Sequence, residues 1–260
     1  MSSSKDWKKT KTIYWKDELN DDFDEVGLKR PPVPKNYRYL RRFHVLGWIA
    51  YYLLAKPILG TYCFFHGIKV KGKENLKELR KTGYFIYGNH VAITDAFKYA
   101  AYCVPLKRVN ILGYSDTLSM KGVAAIAKAV GYLPIPDDFE NLKKMEKAIE
   151  TLINKKEIIL IFPEAHIWPY YTKIRNFKDV SFTYPAKYNK PVLPAVTIWR
   201  GKEGKKPKQT VIFCKPIYPN PELTPHENKK FLHDQCYLAM KEVSEKYQQV
   251  EYIKYIKVED

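Results

Sequence analysis

From residue 67 onward the apolar positions follow two alternating periods. Ile68-Lys69-Val70, Phe85-Ile86-Tyr87 and Val109-Asn110-Ile111-Leu112 have the length and the β-branched or aromatic content of strands. A helix is expected between the first two, over Asn75 to Lys81, and another over the small-residue stretch Lys121 to Val130. Tyr132-Leu133-Pro134-Ile135-Pro136 reads as an edge or irregular strand, because two prolines cannot donate to a central ladder. Leu142, Met145, Ala148, Ile149, Leu152 and Ile153 then recur at helical spacing. Ile158-Ile159-Leu160-Ile161-Phe162 is apolar at every position, as in a strand buried on both faces. Val192 to Val196 and Val211 to Cys214 complete the strands. A last helix opens at Thr224-Pro225-His226-Glu227, a capping box with proline at the first helical position. The alternation predicts an α/β fold: a mixed, largely parallel central sheet flanked by helices.

The first 65 residues follow neither period. Residues 1–35 are polar and charge-mixed and are expected to form a poorly packed arm. Residues 36–65 begin with Tyr37-Arg38-Tyr39-Leu40-Arg41-Arg42 and continue as two apolar tracts separated by Lys56-Pro57. A membrane-spanning helix needs about 20 uninterrupted apolar residues, which neither tract supplies. Two short helices broken at Pro57, with arginines before them and Trp and Tyr among them, suit a membrane interface; a buried core pair is the other reading. Residues 66–260 then form the main domain.

Composition narrows the partners. The chain has 260 residues, enough for one large domain, and a net charge of +17. That charge calls for anionic company: nucleic acid, an anionic membrane surface or a polyanionic substrate. No nucleic-acid motif accompanies it, so no nucleic-acid partner is expected. Cys63, Cys103, Cys214 and Cys236 lack metal-like or redox spacing and read as reduced core residues of a cytosolic protein.

Two strand ends carry candidate chemistry, and in open α/β sheets active sites lie beyond the strand ends. In Tyr87-Gly88-Asn89-His90-Val91-Ala92-Ile93-Thr94-Asp95 a strand delivers His90 to a turn. Asp95, five residues on, can return beneath the imidazole; a carboxylate on one ring nitrogen leaves the other free to take a proton. The second end is Phe162-Pro163-Glu164-Ala165-His166. A lone Pro-Glu is usually a surface turn, but two such ends in one chain favour a site.

These blocks resemble the glycerolipid acyltransferases of the lysophosphatidate (1-acylglycerol-3-phosphate) type. His90 to Asp95 matches that family's His-x4-Asp motif, and Phe162-Pro163-Glu164 matches the start of its Phe-Pro-Glu-Gly-Thr-Arg motif. Asn176-Phe177-Lys178 and Pro191-Val192-Leu193-Pro194-Ala195-Val196 echo later segments, so the likeness runs over roughly residues 66 to 215. Two arginines that the family associates with the acceptor phosphate are absent: Asp137 and Ile167 stand in their places. Arg175, Lys173 and Lys178 could restore positive charge. The resemblance implies that His90 is the general base, oriented by Asp95. It also implies that Asn89, Glu164, His166, Arg175 and Lys178 line the substrate site, and that 66–260 is the catalytic domain. The reaction implied moves an acyl group from acyl-CoA or acyl-carrier protein, as co-substrate and with no cofactor, to a hydroxyl of a lysophospholipid-like acceptor. With the basic charge, it implies a peripheral protein on the cytoplasmic face of the cell membrane. Two other readings stand beside it: a metal-dependent hydrolase using His90, Asp95, Glu164 and His166, and a non-catalytic basic membrane binder.

Overall fold

A computed structural model describes residues 11–23, 44–115, 131–202, 204–248 and 250–258. The Lys121–Val130 helix and the 37–42 flank expected from the sequence fall outside them. Strands β2 (Lys69–Lys71), β3 (Tyr84–Gly88), β4 (Val109–Gly113), β5 (Tyr132–Pro134), β6 (Ile158–Ile161), β7 (Val192–Arg200) and β8 (Lys208–Phe213) form one sheet, after a separate first strand β1 (Lys11–Trp15). Their order is β2-β8-β7-β3-β6-β4-β5, which puts the proline-bearing β5 at an edge, as expected. All neighbours pair in parallel except β7 with β8. The sheet is therefore mixed and largely parallel.

Alternate residues of each strand enter two different cores. Phe85, Tyr87, Ile159 and Ile161 pack under α5 (Phe139–Asn154), α6 (Thr183–Lys187) and α7 (Pro225–Tyr247), which supply Met145, Ile149, Ala186, Leu232 and Met240. Asp138 caps α5 by accepting from Asn141 N–H at 2.9 Å, and the expected capping box opens α7. Tyr84, Ile86, Ile158 and Leu160 face the other way, against Tyr51, Cys63, Tyr99 and Cys103. A short helix α3 (Lys73–Glu78) links β2 to β3, slightly ahead of its expected position. All four cysteines are free and buried.

The second core is closed by a continuous helical run from His44 to Phe65: α1 (His44–Ile49), a π-helical middle (Ala50–Ala55) and α2 (Lys56–Phe65). The expected break at Pro57 does not occur. The wide turn just before it, in which Lys56 N–H reaches Tyr51 O, accommodates a residue that has no N–H to give. One face of the run is fastened to the domain. Tyr51 Oη donates to Ala100 O (3.1 Å), and Lys56 Nζ donates to Val104 O (2.7 Å). The other face presents Trp48, Leu53, Leu54, Ile58, Phe64 and Phe65 to solvent. The run is thus part of the domain on one side and an uncovered apolar surface on the other. No helix among the described residues is long and apolar enough to cross a membrane.

The N-terminal arm also departs from expectation over residues 11–23. Strand β1 pairs in parallel with β9 (Ile253–Lys257), near the opposite end of the chain. Trp15 and Phe23 pack on Trp168, with ring centroids 5.3 and 5.2 Å away, and Trp168 Nε1 donates to Asp21 O at 2.8 Å. The mean polarity of the arm hides these two aromatics, whose partners lie some 150 residues away in the chain. Deleting residues 1–23 should uncover Trp168 and cost about 2–4 kcal/mol of stability. Urea unfolding, with a red shift of tryptophan emission in the folded baseline, measures it.

Candidate active site

Strands β3 and β6 are parallel neighbours, with Tyr87 opposite Ile161. Their carboxyl ends therefore open side by side, and the residues that follow each must meet. The His90 ring stacks on Phe162 with centroids 4.4 Å apart and 15° between planes. That approach needs Gly88, where an added Cβ would lie 3.1 Å from both the Phe162 ring and Tyr99 Oη.

Helix α4 (Asp95–Lys98), continued by a π-helical turn to Cys103, starts where the loop after His90 ends. Asp95 is fully buried. Its Oδ2 accepts from Val91 N–H (2.7 Å) and Ala92 N–H (2.8 Å) and lies 3.2 Å from His90 Nδ1. The four intervening residues form a loop just tight enough to bring all three donors to one oxygen. Oδ1 accepts from the ammonium of Lys98, itself fully buried. Burial pushes the Asp95 carboxyl up, but Lys98 and His90 outweigh it and hold it below its ordinary value. An ionised Asp95 can only accept, so Nδ1 carries the ring proton. Nε2 has no hydrogen-bond partner among the described residues.

Glu164 serves the other side. Its Oε2 accepts from His90 N–H at 2.9 Å, and its Oε1 accepts from Arg175 N–H at 2.9 Å. Arg175 Nη2 lies 3.2 Å from Oε2 and donates also to His166 O. The Glu164 and Arg175 side chains are both fully buried. Ala165 holds φ at +62°, in the left-handed region where the resembled motif carries glycine.

The candidate residues therefore divide. His90, Asp95 and Glu164 come together. Asn89 is buried and spends its amide on β7: it donates to Thr197 O (3.0 Å) and accepts from Thr197 N–H (2.7 Å). It fastens β3 to β7. Arg175, expected in the acceptor site, is likewise inside, with its guanidinium against Glu164. His166 Nδ1 lies 3.3 Å from Asp22 Oδ2 of the N-terminal segment. Lys173, Lys178 and Asp137 are exposed. No three His, Cys, Asp or Glu side chains among the described residues converge in a way that could hold a metal ion, so the proposed four-residue ligand set is not assembled. The sequence reading missed Lys98, Thr197 and Gln209. The one available signal was a lone charge at Asp95 plus three inside the apolar stretch Ala96-Phe97-Lys98-Tyr99-Ala100-Ala101.

With this geometry in hand, comparison with known proteins assigns the family. The model of the Acyltransferase family matches residues 67–198. The chain belongs to the acyltransferase family. Among solved structures, this acyltransferase is similar to the 1-acyl-sn-glycerophosphate (LPA) acyltransferase PlsC from Thermotoga maritima. The TM-score is 0.53 at 14% identity, over 75% of this chain and 80% of that one. No curated protein matches it.

The Asp95–Lys98 pair makes the acyltransferase acid-sensitive in a defined window. A carboxyl held below its ordinary value of 3.8 stabilises fully above that pH, and its contribution is lost as pH falls through the lower folded value. Asp95→Asn leaves the Lys98 ammonium buried without its counter-charge and should cost about 3–5 kcal/mol at pH 7. The difference from wild type should narrow as the pH falls below 3.8. Urea unfolding across pH checks both; an undiminished cost at the lowest pH would show that the charge is irrelevant.

Proposed function

We propose that this acyltransferase moves an acyl group from a thioester donor, acyl-CoA or acyl-carrier protein, to a hydroxyl of a lysophospholipid-like acceptor at the cytoplasmic face of a membrane. The observation that carries the reading is the His90 ring, held through Nδ1 by a buried carboxylate and with Nε2 unpartnered among the described residues. Nε2 takes the proton of the acceptor hydroxyl while that oxygen attacks the thioester carbonyl. The tetrahedral adduct then collapses, the C–S bond breaks, and the proton passes from the imidazolium to the departing sulfur. Asp95 keeps the tautomer and offsets the imidazolium charge. Glu164 holds the His90 backbone in place and touches no substrate. PlsC acts on 1-acyl-sn-glycerophosphate by its description, which supports a lysophospholipid-like acceptor here. At the two positions where the resembled family carries acceptor arginines stand Asp137 and Ile167. Asp137 is exposed, Ile167 is apolar, and Arg175 is enclosed by Glu164. These features favour an acceptor with a phosphodiester headgroup over a phosphomonoester.

Membrane contact is proposed through the uncovered face of the helical run 44–65. Its exposed leucine, isoleucine and aromatic side chains suit the headgroup boundary, and the net charge of +17 suits an anionic leaflet.

Radiolabelled acyl transfer from both donors into lysophospholipids with and without a phosphomonoester tests the chemistry. His90→Ala should lower transfer by about 10²–10⁴-fold. Survival of transfer in that variant, or a marked preference for the phosphomonoester, would overturn the corresponding part of the reading. For the surface, the Leu54→Glu/Ile58→Glu/Phe65→Glu variant should lose at least about tenfold in partition to anionic vesicles. It should remain folded, since all three side chains are exposed. Unchanged sedimentation with the vesicles would exclude this face as the contact.

A further inference from the structure

A fully buried lysine beside a catalytic-type carboxylate has a cost that packing alone does not repay. Lys98 has that position, and its three N–H donors meet three acceptors on three elements. These are Asp95 Oδ1 on its own helix, Thr197 Oγ1 on β7 (2.7 Å) and Gln209 Oε1 on β8 (3.1 Å). Gln209 is itself held, donating to Thr94 Oγ1 at 3.1 Å. The ammonium is thus fixed in direction as well as place, aimed at the oxygen of Asp95 that His90 does not use.

The other groups around the pair leave one charge undecided. On the loop after β6, Glu164 has its own cation in Arg175. Burial pushes the thiols of Cys63 on α2 and Cys103 on the π-helical turn up to about 11 and about 12, so both are neutral near pH 7. The Tyr99 hydroxyl is raised well above 10 by burial and by Asp95. The imidazole therefore stands between two closed ion pairs, Asp95–Lys98 and Glu164–Arg175, and no unbalanced carboxylate among the described residues demands that it be charged.

We propose that Lys98 is a positioning residue that balances Asp95, so that the buried carboxylate does not draw a proton onto the His90 imidazole. With an apolar residue at position 98, the buried carboxylate would have only the imidazole to neutralise it. The ring would then be protonated at rest, and the base would be blocked. Lys98 touches neither Nε2 nor any substrate; it acts through Asp95. The kinetic part of this proposal rests on the acyl-transfer reading, while the electrostatic part does not.

The experiment compares Lys98→Met, which keeps length and loses charge, with Lys98→Arg, which keeps charge, in the full chain. Imidazole titration is followed by ¹⁵N NMR of histidine-labelled protein, with His90→Ala used to assign the signal. In Lys98→Met the His90 ring should titrate about one pH unit or more above wild type, and Lys98→Arg should stay nearer wild type. The acid limb of kcat/KM should move by the same amount, with a loss of about tenfold at pH values below the limb and an unchanged donor KM. Equal titration in wild type and Lys98→Met overturns the proposal whatever happens to the rate, as does an equal displacement in both variants. If Lys98→Met does not fold, the Asp95→Asn/Lys98→Met double variant decides. Recovery of folding when both charges are removed supports charge balance, and failure to recover overturns it. If wild type transfers no acyl group to any acceptor, the NMR titration still decides the electrostatic claim, and only the acyl-transfer reading falls.

Discussion

A carboxylate sealed from water must be surrounded by donors, and that requirement at Asp95 organises much of this molecule. Two backbone N–H groups, the His90 imidazole and one ammonium converge on it from within nine residues of chain, 90 to 98. The loop between β3 and α4 can take only a conformation that aims Val91 and Ala92 inward. The lysine that completes the shell is steadied in turn by β7 and β8. Asn89 closes the circuit by clamping the backbone of Thr197, the residue whose hydroxyl receives Lys98. The base proposed above needs a ring that is fixed in tautomer, and this polar knot fixes it through Nδ1.

The second constraint is topological. Two motifs some seventy residues apart meet because β3 and β6 are adjacent and point the same way, so their ends release His90 and Phe162-Pro163-Glu164 into one space. Glu164 then works backwards from the usual image of a catalytic carboxylate. Both of its oxygens are committed to backbone N–H groups and to Arg175, so it ties the two loops together. The N-terminal strand extends the same logic. Its Trp15 packs on Trp168, in the chain between Glu164 and Arg175, and Glu18 just beyond the strand accepts from Asn176 Nδ2 at 2.9 Å.

The sequence was legible where local pattern and fold agree. Continuous apolar runs gave β3 and β6, the two prolines gave an edge strand, and the Thr224–Glu227 box gave the start of α7. The pairing of His90 with Asp95 was legible too, because a five-residue separation is a local matter. What stayed hidden was long-range. Lys98 in a helical stretch reads as a solvated charge until β7 and β8 are seen to pack over it. Arg175 reads as a surface cation until Glu164 encloses it. The arm reads as polar because the aromatics that pair with Trp15 and Phe23 lie at the far side of the sequence. Pro57 reads as a break because a wide helical turn, which spares its missing N–H, leaves no mark in composition.

The apolar helical run and the polar knot share one piece of structure. The helix that begins at Asp95 and carries Lys98 ends at Ala100 to Val104, and those carbonyls receive Tyr51 Oη and Lys56 Nζ from the run. Gly60 allows α2 to approach this segment closely, with an added Cβ placed 3.2 Å from Ala101 O. One end of this helix thus holds the proposed base through its carboxylate, and the other end holds the surface proposed to meet lipid. Any force on the uncovered face is delivered to the same helix that carries Asp95 and Lys98. A loose tether would have let the face dock while the site wandered. Here two hydrogen-bonded side chains and a glycine contact fix the distance between them, so the hydroxyl of a bilayer-resident acceptor would be offered to Nε2 at a constant height above the membrane.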